Sequence, residues 1–348
     1  RFPALGNFYD PVWDGYRLLW FYRLESIISR NIYTIRHFPM KSSAAGARRF
    51  CGFDNRYLKE SDAMNIQNQS KRTTVRNLTI FIVVVLAIGW IGRGLDLLMG
   101  NPAPDSLGML LWLIAPLGIS LLLRAFAGDG WKDFGIKPNF RGNTVGYIIA
   151  LLVFPVLTAL VLLIGRALGL IAFPNFSLNA LGLLFQAFAL GLLPLFVKNI
   201  FEEAAWRGYL APKIFSLRLN DFVGHLIVGL VWGAWHIPYY LFFLDRAVLQ
   251  NFTTLGLAAF IPLSIVVMIS WAMVYGEIRL LTNSIWPAVL MHVVEDAFLN
   301  QLFTEQHIRI VAGTDWLVSP VNGLISIFLF VALGLALRRW RKRKMPVA

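Results

Sequence analysis

The chain has 348 residues, 57% hydrophobic and 15% charged, with a mean hydropathy of +0.62. A soluble domain carries about 25% charge, so the composition excludes an ordinary soluble enzyme and points to one polytopic membrane bundle. The net charge of +13 fits cytoplasmic anchoring lysines and arginines, and the lack of base-reading motifs or a basic–aromatic repeat argues against a nucleic-acid partner.

Residues 1–63 mix aromatics, arginines and acids without a spanning apolar run or a signal-peptide core. Their single cysteine, Cys51, is the only one in the chain. It excludes an intrachain disulfide and any multi-cysteine metal site. Met64 opens a polar stretch ending in Lys71-Arg72, just before the first apolar run, and reads as a natural start. The first 63 residues are therefore expected to be a dispensable extension, such as an upstream reading-frame artefact, or else a short peripheral tail.

Residues 64–348 are predicted to form an all-α transmembrane bundle. Eight candidate spans of about 20 residues lie near 77–98, 106–125, 143–165, 178–207, 222–244, 253–275, 284–302 and 319–339. Gly128-Asp-Gly130 marks a turn into a connector, and Trp286-Pro287 suits a first helical turn. Basic residues alternate between the connections. Lys71, Arg72, Arg76, Arg124, Lys132, Lys137, Arg141, Lys213, Arg218, Arg279 and the run from Arg338 to Lys344 lie on one side, against Arg93, Arg166, Arg246 and Arg309 on the other. The positive-inside rule then puts both termini in the cytoplasm. The compact core and lack of organelle signals suggest a bacterial plasma membrane.

Three apolar segments carry acid–base residues, and such groups at membrane depth are costly. The first holds Glu202, Glu203 and Arg207 at the end of a run with little charge from Leu178 to Ile200. Adjacent helical residues diverge by about 100°, so the two glutamates face different ways. Glu203 is the i,i+4 partner of Arg207, which leaves Glu202 as the freer carboxylate and the candidate base. A salt-bridged cytoplasmic helix end is the plain alternative. The second segment holds His236, four residues after Trp232 and before Ile237-Pro238, where the helix is expected to loosen. An interhelical hydrogen bond would equally account for this histidine. His225 reads as interfacial. In the third segment His292 and Asp296 share a face at i,i+4, and Glu295 is expected to point elsewhere. A simple intrahelical His–Asp contact is the alternative there. The joint occurrence on three spans suggests one buried hydrolytic site.

Glu202-Glu203-x-x-x-Arg207, Trp232-x-x-x-His236 and His292-x-x-x-Asp296, in this order, resemble the CPBP family of CAAX proteases and bacteriocin-processing enzymes, also called Abi. The resemblance covers about residues 125–301. Trp232 stands where the family usually has Phe, and Asp296 where it often has Asn. The resemblance implies an intramembrane glutamic endopeptidase acting on membrane-associated peptides or proteins, with no metal and no cofactor. Glu202 would be the general base and would hold the attacking water with His236. His292, assisted by Asp296, would stabilise the oxyanion or orient substrate. Glu203 and Arg207 would position the Glu202 helix or bind the substrate backbone. A zinc hydrolase using Glu202, His236 and His292 is a rival, though His-Glu-x-x-His is missing. A non-catalytic membrane immunity or scaffold protein and a proton-relaying transporter are further alternatives.

A chain beginning at Met64 is expected to insert into membranes and keep the activity of the full chain. Failure to insert, read by membrane fractionation, would contradict the dispensable reading of 1–63.

Overall fold

The computed structural model describes residues 55–100, 105–174, 177–304 and 308–344. Most of the predicted extension lies outside the described residues. The functional bundle is the unit Lys59–Ala348. Its elements are helices α1 (Asn55–Leu98), α2 (Leu107–Phe126), α3 (Thr144–Ala167), α4 (Leu178–Ala205), α5 (Ala211–Ser216), α6 (Asp221–Trp235), α7 (Arg246–Phe252), α8 (Leu257–Thr282), α9 (Trp286–Thr304), α10 (Asp315–Val318) and α11 (Leu324–Lys344). Wide π-helical turns follow α4 at Trp206–Leu210 and α6 at Tyr239–Phe243. Strands β1 (Ile171–Ala172) and β2 (Arg309–Ile310) make one short antiparallel pair.

The chain is all-α in character because backbone in lipid must satisfy its own hydrogen bonds. Six segments are long and apolar enough to cross a bilayer: Ser70–Leu98, Leu107–Phe126, Thr144–Ala167, Leu181–Ser216, Asp221–Phe243 and Leu257–Thr282. The expectation of eight is corrected to six among the described residues. The other two predicted segments are helical but more polar. α9 carries His292, Glu295, Asp296, Asn300 and Gln301, and the apolar part of α11 runs only from Leu324 to Leu337 before its basic tail.

Small residues and a few polar contacts set the packing. α1 and α2 touch backbone to backbone, since a Cβ on Gly108 would lie 2.2 Å from the Gly92 carbonyl oxygen. Asp96 fixes the turn between them by accepting from Ser106 and from the Gly108 N–H at 2.8 Å. α6 lies on α8 through Gly229, whose Cβ would fall 2.5 Å from Ile269 Cα. α9 packs against α4 and α3.

One end of the bundle gathers the basic residues. Asn77 of α1 donates to the Ala127 carbonyl and to Asp129 after α2. Arg124 and Lys213 both pair with Asp133, at 2.7 and 3.1 Å. Burial raises the Asp133 carboxyl, but these two cations outweigh it and hold the group below the ordinary carboxylate range. Arg279 at the end of α8 donates to the Asp133 carbonyl, and its guanidinium lies where a side chain on Gly135 (φ 79°) would have to go. Asn283, at φ 48°, ends α8 in the left-handed conformation that asparagine tolerates.

The C-terminus is clamped at this end. His225, expected at the interface, is instead buried, with its Nε2 3.0 Å from Glu277 Oε1. Arg341 donates to Glu277 at 2.6 and 3.0 Å, and Arg341 and Arg338 each donate to Asp221 at 3.0 Å. His225 lies one turn inside α6, and Gly276 leaves room for its ring. A lone histidine gave no hint of a carboxylate on another helix.

The shared basic end predicts the sidedness. Reporter fusions after Lys132 and after Lys344 should report cytoplasm, and one after Ala172 the opposite side. An external C-terminus would overturn this arrangement.

Candidate active site

The carboxylates of the first motif stand on the last turn of α4, where the helix widens. The Ala211 N–H reaches back to the Trp206 carbonyl instead of the Arg207 carbonyl. Pro212 has no N–H to offer Gly208. Two carbonyls are thereby released, and both are used. Arg207 O accepts from Arg279 Nε at 2.9 Å, and Gly208 O accepts from Arg124 Nη2. π-turns inside helices are frequent next to functional groups. Here the turn lets two arginines brace the backbone one helical turn beyond the paired glutamates.

Carbonyls are also freed at His236. α6 ends at Trp235, and the His236 N–H bonds to the Gly233 carbonyl at 3.1 Å, one residue short of the α-helical partner. The Trp232 carbonyl is left free and takes the imidazole Nδ1 of His236 at 2.8 Å. The Trp235 carbonyl accepts from the Trp112 indole N–H at 2.9 Å. A carbonyl only accepts, so Nδ1 carries the proton and Nε2 is the nitrogen left to work. Trp112, Trp235, Tyr239 and Tyr240 surround the ring, with Trp235 nearest at 4.7 Å between centroids.

Glu203, Arg207 and His292 form a buried unit. Glu203 Oε1 accepts from Arg207 Nη1 at 3.0 Å and lies 2.9 Å from His292 Nδ1. Glu203 and Arg207 are fully buried. The guanidinium is sandwiched between Trp232 and Tyr275, 4.1 and 4.2 Å from the ring centroids. Trp232 also meets both imidazoles, His236 at 6.1 Å and His292 at 5.8 Å. That one indole therefore draws the three motifs together.

Glu202 lies on the other side of the α4 turn. Its Oε1 is 2.9 Å from Lys198 Nζ, and its Oε2 is buried with no protein partner among the described residues. Lys198 also reaches Asp296 Oδ2 at 2.9 Å, and Asn199 Nδ2 donates to that oxygen at 2.8 Å. Asp296 and Glu295 each lie 4.0 Å from His292 Nε2.

The geometry therefore brings Glu203, Arg207, Trp232, His236 and His292 into one connected cluster. Glu202 and Asp296 meet through Lys198 rather than directly. Asp296 does not reach His292 within hydrogen-bond distance; Glu203 holds that histidine instead. Glu295 faces the site, because i,i+3 neighbours share a helix face. Lys198 and Asn199 were missed. Lys198 stands four residues before Glu202, so the i,i+4 rule could have flagged it within an apolar run. Among the described residues, the set close enough to share a cation is His292, Glu295 and Asp296, within 4.8 Å of one another. Glu202, His236 and His292 do not gather in this way. An ammonium already sits 2.9 Å from Asp296.

Residues 184–298 match the family model described as Type II CAAX prenyl endopeptidase Rce1-like, which is the CPBP family. All seven motif residues, from Glu202 to Asp296, fall inside the matched segment. The match supports a membrane endopeptidase of this family. No curated protein matches the chain.

Breaking a buried ion pair by removing one partner typically costs about 3–5 kcal/mol. Arg207→Met should therefore strongly lower the thermal midpoint of the purified protein in detergent. Arg207→Lys should recover little of it, since an ammonium does not stack between two aromatic faces while pairing with Glu203. A lysine variant as stable as wild type would contradict the sandwich.

Proposed function

We propose that the protein is an intramembrane glutamic endopeptidase that cleaves membrane-associated peptides or proteins with a water held by Glu202 and His236. The observation that carries this reading is the state of Glu202. One carboxylate oxygen is tied down, and the other is buried with no protein partner, as a group awaiting water or substrate is. Glu203 Oε2 is unpartnered among the described residues as well, but its Oε1 is spent on both Arg207 and His292, which fits a supporting role for this second carboxylate.

In this scheme the water oxygen attacks the scissile carbonyl while its proton passes to Glu202 Oε2. The unprotonated Nε2 of His236 accepts the water's other hydrogen and aims its lone pair. Charge develops on the carbonyl oxygen, where a donor contributes about 3–4 kcal/mol. His292 is the group assigned to that oxygen, and Glu203 fixes its ring through Nδ1. The C–N bond then breaks as Glu202 returns the proton to the leaving amine. The water carries the attack without a metal. The family description makes a prenylated CAAX peptide the first substrate to try.

The test uses full-length protein in liposomes with a farnesylated peptide ending in cysteine, two aliphatic residues and a variable residue. Glu202→Gln should lower kcat/KM by about 10²–10⁴ while leaving expression and thermal stability close to wild type. Wild-type cleavage should survive a chelator. A Glu202→Gln variant that cleaves at the wild-type rate would refute the glutamate mechanism, and loss of activity on chelation restored by zinc would favour a metal hydrolase.

A further inference from the structure

We propose that Lys198 is a positioning residue of this site, a half-buried ammonium that holds Glu202 and Asp296 on one counter-charge and selects the Glu202 oxygen that works. The proposal rests on Glu202 acting as the base.

Lysine in the middle of an apolar helix is costly. Local helix energetics do not explain it, because the favourable i,i+4 order places Glu before Lys and here it is reversed. The explanation is tertiary. An ammonium has three N–H donors. Lys198 Nζ finds three acceptors: Glu202 Oε1 at 2.9 Å, Asp296 Oδ2 at 2.9 Å and Asn199 Oδ1 at 3.0 Å. Every donor is spent within the protein, so none is left for substrate. This separates Lys198 from a catalytic group.

Asn199, itself fully buried, closes the ring by donating to Asp296 Oδ2 at 2.8 Å. Lys198, Asn199 and Glu202 belong to α4 and Asp296 to α9, so the network crosses the interface on which the site is built. Two consequences follow. With Oε1 occupied, Oε2 is the one oxygen of Glu202 free to take a proton. Without the ammonium, the Glu202 and Asp296 carboxylates would lie close together with no shared counter-charge, and like-charge repulsion would push them out of register. Asp296 thus serves as the second anchor of Lys198 rather than as the orienter of His292.

The measurement is kcat, KM and thermal midpoint for Lys198→Met, Asp296→Asn, the double variant and Glu202→Gln, in liposomes with the farnesylated peptide. Misplacing a catalytic group by about 1 Å costs about 100-fold, so Lys198→Met should lower kcat by about that factor with KM little changed. Adding Asp296→Asn should restore about tenfold or more, because groups in one network are strongly non-additive. The neutral amide needs no counter-charge and can donate to Glu202 in place of the ammonium. If Lys198→Met does not fold, the double variant should fold and cleave. A Lys198→Met variant with wild-type kcat, or a double variant no better than Lys198→Met, overturns the proposal. Glu202→Gln separates the two readings. If it cleaves normally, the base assignment fails. The thermal midpoints then decide alone whether Lys198 and Asp296 are coupled, and additive losses overturn the bridge as well.

Discussion

A carboxylate with no access to water must be matched where it stands, and Glu203 is the point on which this structure turns. It is fully buried, and one of its oxygens serves both Arg207 and His292. Arg207 is in turn held between Trp232 of α6 and Tyr275 of α8. Four helices therefore meet on a single charge pair. Taking these ions out of water is expensive, and their mutual pairing, with the two aromatic faces, offsets it. The geometry of His292, and through Trp232 that of His236, follows from where this pair settles.

Around it the backbone ladder is broken in two places. After Glu203 the helix widens and at His236 it tightens, and each change of register leaves carbonyls without their helical donors. At the first break the freed carbonyls are taken by Arg279 and Arg124; at the second, by the His236 ring and the Trp112 indole. Unwound backbone at membrane depth is tolerated where protein re-satisfies it. The freed carbonyls fix one imidazole tautomer and brace one helix end.

Much of this was legible in the sequence. Apolar runs located the helices, though α1 begins far before the predicted 77 and α8 runs past the predicted 275, and the i,i+4 spacing paired Glu203 with Arg207. The three motifs pointed to one site and one family. What escaped was pairing between distant segments. Lys198 makes sense only beside Asp296, 98 residues away, and His225 only beside Glu277, 52 residues away. Helical periodicity carries no information about such partners. The same gap explains Glu202, which looked free because its neighbour took the arginine, yet shares its counter-charge with another helix. The span count failed for a different reason. Window hydropathy treats α9 and α11 as spans until their polar and basic residues are weighed, and those are the residues that build the site and the clamp.

The clamp at the C-terminus bears on how the protein is made. Glu277 lies fully buried, and the arginine that answers it stands on α11, 64 residues further along the chain. While α6 and α8 are being inserted, Glu277 has only His225 beside it. Docking of α11 then supplies Arg341 to Glu277 and Asp221 together. The charge of Glu277 is therefore answered in full only once α11 has docked. Without that helix Glu277 would be left with His225 alone, a buried acid short of its counter-charge.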